Sequence, residues 1–195
     1  MFSSNITLHN LISMFLCRKR FIAILVFFFL QIFYLNGQNI SLRLRVVSGG
    51  NISYIFNSLT KYQTGITYED WTRLQIFFND TTNAGDPSPS TTGWELKVRA
   101  IQNGIMSDGG NPNLDTELIE IRPKITAGGN STNVNLTNIN LTNGFQTIVE
   151  GDGNQIILEE VFISYDCGVD PSPKILNNPP DFYYVGFEFK ISARP

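Results

Sequence analysis

The chain has 195 residues, of which 42% are hydrophobic and 16% charged, with a formal net charge of −3. Fourteen Lys and Arg against seventeen Asp and Glu leave no basic excess, which argues against binding DNA, RNA or acidic membrane surfaces through a basic face. One histidine and two cysteines narrow the available catalytic and metal chemistry from the outset.

In chain order, the first feature is the basic cluster Arg18-Lys19-Arg20. Phe21 to Leu35 follows, fifteen residues in which only Gln31 is strongly polar, and then Asn36-Gly37-Gln38. A basic cluster, a short apolar stretch and a small residue read as a secretory signal peptide over residues 1–37, cleaved after Gly37. The run falls short of the roughly 20 residues that span a bilayer as a helix, and an uncleaved anchor is the alternative. Met14, four residues before the basic cluster, is read as the true start. The remainder, 38–195, is expected to form one domain of 158 residues, able to bury roughly 70% of its unfolded surface without a disulfide or metal. Its 11 basic and 17 acidic side chains give a net charge of −6. Export is expected, to the periplasm, the outer membrane or the medium, with no stable membrane span after cleavage.

After Gln38 no long segment has a helical period, whereas many short segments alternate with a period of two between Gly, Asn, Asp and Pro. Ile40 to Val47 sets Leu42, Leu44 and Val46 against Ser41, Arg43 and Arg45. Tyr68 to Arg73 reads as one helical turn or, with Trp71, as strand, and Leu74 to Phe78 as strand. Asn79 to Gly93 is a loop. Trp94 to Ile101 alternates with Trp94 on the apolar side, and Asn103-Gly104 suits a tight hairpin turn before Ile105. Ser107 to Asp115 is a second loop, and Leu118 to Ile121 a strand stopped by a turn or edge at Pro123. The repeat Asn135-Leu-Thr-Asn-Ile and Asn140-Leu-Thr-Asn-Gly reads as a polar strand edge, and Asn143-Gly144 as a turn before the strand Phe145 to Val149. In the strand Gln155 to Tyr165, Ile156-Ile157-Leu158 and Val161-Phe162-Ile163 look buried on both sides. After the turn Asn177 to Asp181, Tyr183 to Ile191 reads as one strand with Tyr183, Val185, Phe187, Phe189 and Ile191 on the buried face. The pattern predicts an all-β, antiparallel β-sandwich of about seven to nine strands, immunoglobulin-like or pilin-like.

His9 and Cys17 both fall in the leader. The mature chain then lacks the imidazole that Ser–His–Asp and Cys–His catalysis require, and a single Cys167 builds neither a thiolate site nor an intramolecular disulfide. Cys167 has no basic neighbour to activate it and reads as partly buried and inert. Carboxylate-pair chemistry survives this elimination. Glu159 and Glu160, adjacent on a strand, would face opposite sides, while Asp166 and Asp170 flank Cys167. Calcium needs only oxygen ligands. Asp108, Asn111, Asn113 and Asp115 share one Gly-rich loop, and Asp152 and Asn154 another, although neither has EF-hand spacing and both suit ordinary turns. No cofactor is expected. Within residues 38–195, Asn-X-Ser/Thr triplets stand at Asn39, Asn51, Asn79, Asn130, Asn135 and Asn140. Exposed rings would mark a sugar-binding face. Among Tyr62, Tyr68, Trp71, Phe78 and Trp94, the ligand-binding candidates are Tyr62, Tyr68 and Trp71, with Tyr62 the one expected to be most exposed.

The leader ending in Asn-Gly-Gln, the segment Phe56 to Ile66, Trp94-Glu-Leu-Lys-Val98, Ile163-Ser-Tyr165 and the ending Pro180 to Phe189 together resemble small secreted proteins of the Bacteroidetes. The resemblance spans most of the mature chain. It implies an immunoglobulin-like or adhesin-like β-sandwich with an envelope role, and supplies no functional residues. The expected function is a non-enzymatic structural or adhesion module of the cell envelope, one form of which is a pilin-like subunit whose edge strand another chain completes. Its partners would be envelope proteins or surface glycans. A carbohydrate-binding module and a carboxylate-dependent glycosidase are the alternatives.

Overall fold

The computed structural model describes residues 40–80, 93–126, 129, 131–152, 156–170 and 175–194. The expected leader with Met14, His9 and Cys17, and positions 81–92 of the expected first loop, lie outside the described residues. Residues 39–195 form one compact unit. No helix among the described residues is long and apolar enough to cross a membrane.

The fold is all-β and sandwich-like. In chain order the strands are β1 (Ile40–Ser48), β2 (Ile52–Ile55), β3 (Ile66–Asp80), β4 (Gly93–Ala100), β5 (Met106–Ser107) and β6 (Ile119–Ile125). Then come β7 (Thr132–Leu136), β8 (Ile139–Asn140), β9 (Gln146–Asp152), β10 (Ile156–Cys167), β11 (Phe182–Val185) and β12 (Phe187–Arg194). One helix, α1 (Leu59–Thr64), and one 3-10 turn, Thr116–Leu118, complete the described elements. Three antiparallel sheets result, ordered β1-β3-β10-β6-β8, β12-β4-β9-β7 and β2-β11-β5. The twelve strands exceed the seven to nine expected, because short strands of two to five residues build much of the third sheet and the outer edges of the other two.

Alternation drives the core. Leu74, Ile76 and Phe78 of β3, Trp94, Leu96 and Val98 of β4, and Ile157, Val161 and Ile163 of β10 are all fully buried. As expected, Trp94 lies on the apolar side. Its Nε1 donates to Ser131 Oγ at 3.0 Å, as a buried indole requires. Gly151 sits opposite it in the β4–β9 ladder, leaving room for the ring.

Several expectations are corrected. The C-terminal strand is not continuous. At Gly186 the chain leaves the three-stranded sheet and enters the four-stranded one. Gly186 N–H donates to Gln102 Oε1 at 2.8 Å, and its carbonyl accepts from Ile101 N at 2.9 Å, so the break is fastened to the end of β4. Tyr183 and Val185 are buried, whereas Phe187, Phe189 and Ile191 are half-buried. Asn103-Gly104 does not close a two-residue hairpin. Gly104 has φ +108°, but β5 beyond it pairs with β11 rather than β4. Ile156 and Leu158 are not buried on both sides. They are 54% and 64% exposed, because the core covers only one face of their sheet. Tyr68 to Arg73 is strand, and the helix lies earlier. Ser58 caps it by accepting from Lys61 N, and Gly65, at φ +76°, ends it.

Pro123 lies inside β6, opposite Ile163 of β10. On the other side β8 pairs only with Glu120 and Ile121, so the proline faces an edge that needs no donor. The Asn-rich repeat spans two edge strands in different sheets, β7 and β8, with Asn135 and Asn140 exposed.

Candidate functional site

The third sheet carries a cleft of about 480 Å³. β11 is its middle strand, with Tyr184 opposite Ser53 on one side and Met106 on the other. Side chains alternate, so Tyr183 enters the core while Phe182 and Tyr184 face out, 54% and 42% exposed. Asn51, Ser53, Gln102 and Asp108 add polar groups around these rings.

Asp181 organises the adjoining loop. Its carboxylate accepts from Ser107 Oγ, from Gly109 N at 3.0 and 3.1 Å, and from Asn111 Nδ2 at 2.9 Å. The hydrogen bond from Ser107, reinforced by Asn111 and the Phe182 and Gly109 amides, holds its carboxyl below the usual carboxylate range. Sequence reasoning missed Asp181 in this role. Its signal was local, an acid after Pro179-Pro180, but its partners are seventy or more positions away.

The four calcium candidates do not converge. Asn111 directs its amide donor at Asp181, and Asp115 Oδ1 caps the 3-10 turn by accepting from Glu117 N at 3.0 Å. Asn113 packs beside Gly104, while Asp108 lines the cleft. Among the described residues no three His, Cys, Asp or Glu side chains could hold a metal ion. Asp152 accepts from Asn133 and pairs with Arg194, and Asn154 lies outside the described residues.

Of the three aromatic candidates, two come together. Tyr68 and Trp71 have ring centroids 5.0 Å apart, and Tyr68 OH donates to the Ser53 carbonyl at 2.8 Å, beside the cleft wall. Trp71 is 41% exposed. Tyr62 is instead half-buried. It packs on Phe56 at 5.5 Å and donates its hydroxyl to the Phe56 carbonyl at 3.3 Å, fastening α1 to the chain beyond β2. Phe78 is wholly buried.

The acids considered for catalysis are held in other ways. In β3, Glu69, Asp70 and Trp71 together oppose the single residue Ser164, a bulge with Asp70 at φ +47°. Around it Arg122 binds both Asp166 and Glu69, Ser164 donates to Glu69 at 2.9 Å, and Lys124 reaches Asp70 at 2.9 Å. The hydrogen bond from Arg122, then that from Ser164, depresses the Glu69 carboxyl. As expected, Glu159 and Glu160 face opposite sides. Glu159 is buried and accepts from Ser131 N at 2.6 Å, while Glu160 binds Arg73 and Gln75 on the outer face. Cys167 is fully rather than partly buried, and burial pushes its thiol well up, away from the reactive thiolate.

No family model and no curated protein matches this chain.

Among the described residues, one side of the sandwich is left exposed. Leu42, Leu44 and Val46 of β1 stand opposite Phe78, Ile76 and Leu74 and therefore share their inward face. The three β3 residues are fully buried, yet Leu42 and Val46 are 36% and 54% exposed and Leu44 is only half-buried. β1 and β12 are the edge strands on this side, close to one another but with no ladder between them.

Proposed function

We propose that the chain is an assembly or adhesion module of the cell envelope, working by protein–protein contact and without catalytic groups. The occupant of its open side is a strand-forming segment of another envelope subunit, laid along β1. The observation that carries this is the uncovered inward face of β1. Leu42, Leu44 and Val46 belong to the core pattern but lack the neighbours that bury Phe78, Ile76 and Leu74. β1 is nine residues long, contains no proline, and among the described residues has backbone groups on one flank outside any ladder, the usual template for strand addition. Arg43 and Arg45 flank this edge on the opposite face, with no acidic partner among the described residues. The placement of the acids supports the non-catalytic part, since Asp166, Glu69, Asp70 and Glu160 are each paired with a cation.

A photo-crosslinking residue placed at Val46 of the full chain in its own host tests this, with Glu117 as an exposed control. An adduct with a second envelope protein at Val46, lost on Leu42→Asp, is the expected result. An exported chain that stays monomeric, or that crosslinks equally from both positions, overturns it.

A further inference from the structure

We propose that the cleft over the third sheet is a binding site for a neutral hexopyranose unit of a glycan. This goes beyond the assembly reading and uses a separate sheet.

Ring faces come first. Phe182 and Tyr184 alternate outward from the middle strand, 54% and 42% exposed, although the buried positions of the same strand, Tyr183 and Val185, show that apolar groups here have a core to enter. Two outward rings at i and i+2 on a strand offer the flat apolar surface on which the C–H face of a sugar ring stacks.

Polar groups come second. Asn51 and Asp108 line the cleft with side chains that make no hydrogen bond among the described residues. Gln102 Oε1 accepts from Gly186 N at 2.8 Å, which fixes the amide and leaves Nε2 as a donor. Planar amide and carboxylate groups can each engage two neighbouring hydroxyls. Their combination with rings in a concave site of 300–1,000 Å³, the usual size of a small-ligand pocket, matches a sugar ring. The cleft of about 480 Å³ falls in that range.

Charge decides between ligand classes. Among the described residues that line the cleft, Asp108 is the only charged one, and none is Lys or Arg. A phosphorylated, sulfated or uronic sugar would meet repulsion, and a nucleic acid strand would find rings without the cations its phosphates require.

The test is an array of neutral and acidic oligosaccharides probed with the protein purified from expression of the full chain, followed by calorimetric titration of the neutral glycan retained most strongly. Retention of neutral glycans is expected. Tyr184→Ala should weaken binding by about tenfold, equivalent to about 1.4 kcal/mol. Its melting temperature should stay within about 2 °C of the parent, since the side chain lies outside the core. Asp108→Asn should weaken binding with the fold intact, giving a second variant at the polar wall. The proposal is overturned if no neutral glycan is retained, if only acidic glycans are, or if Tyr184→Ala, Phe182→Ala and Asp108→Asn all bind like the parent. Any of these outcomes leaves the crosslinking result at Val46 unaffected.

Discussion

Replacing Gly151 by alanine separates two opposing effects whose balance can be worked from the structure. A glycine-to-alanine change where the backbone tolerates it normally stabilises by about 0.4–1 kcal/mol, because the unfolded chain loses freedom. Gly151 does not have a left-handed φ, so the backbone raises no objection. The obstacle is Trp94. A Cβ on Gly151 would lie 2.6 Å from Cε2 and Nε1 of the indole and 2.8 Å from Cζ2. Carbon atoms pack at about 3.5–4.0 Å, so the ring would have to move by about 1 Å. It is fully buried and tied to Ser131 at 3.0 Å, so that movement breaks a hydrogen bond or displaces β4. Overpacking of this kind costs about 1–3 kcal/mol, which exceeds the entropic gain. Midway through these ranges the net loss is about 1.3 kcal/mol, which for a chain of this length corresponds to a fall of roughly 3–5 °C in melting temperature. Circular dichroism would follow the unfolding. The measurement is repeated in a Trp94→Leu background, where the clashing atoms are gone and Gly151→Ala should become neutral or stabilising. A Gly151→Ala protein as stable as the parent, or an equal penalty in both backgrounds, would refute the reasoning.

Arg122→Met should destabilise by about 2–3 kcal/mol in a urea titration, because it strands Asp166, whose side chain is only 6% exposed, without its cation. Lys124→Met should cost less than about 1 kcal/mol, since its pair with Asp70 is 63% and 39% exposed. Asp181→Asn should lower the melting temperature at pH 7. The folded carboxyl is depressed, so the parent's advantage is present above the ordinary Asp value of about 3.9 and disappears as pH falls through the folded value. Melting curves of the two proteins that fail to converge in acid would contradict this.

The alternation that marks β4 and the first half of the last strand in the sequence is the same alternation that fills the core with Trp94, Leu96, Val98, Tyr183 and Val185. Trp94, Leu96 and Val98 were placeable because a period of two has one inward phase. The same logic failed at Ile156 and Leu158. Apolar residues in both phases of a strand cannot report whether a second layer covers the outer face, and Ile156 and Leu158 are 54% and 64% exposed. It also failed at Gly186, where the alternation runs through a change of sheet that involves Gln102, eighty-four positions earlier. Helix α1 was legible in principle from Ser58 and Gly65, but six residues are too few for a helical period. At the candidate cleft the sequence pointed to rings in general. Tyr68 bonds to Ser53 of its wall and Trp71 stacks on Tyr68, while Tyr184 was read as part of the last strand and Phe182 fell just before it.

By itself, the sequence determined the all-β class, the inward phase of most strands and the opposite facing of Glu159 and Glu160. Each depends on residue type and on neighbours within a few positions, which is the range over which a strand's pleat acts. The tertiary structure alone decided that Asp181 gathers Ser107, Gly109 and Asn111, that Arg122 joins Asp166 to Glu69, and that Leu42 and Val46 lie uncovered while Phe78 and Leu74 opposite them are buried. These depend on strand register and sheet order, which bring together residues tens of positions apart, and local sequence carries no record of which strand becomes whose neighbour.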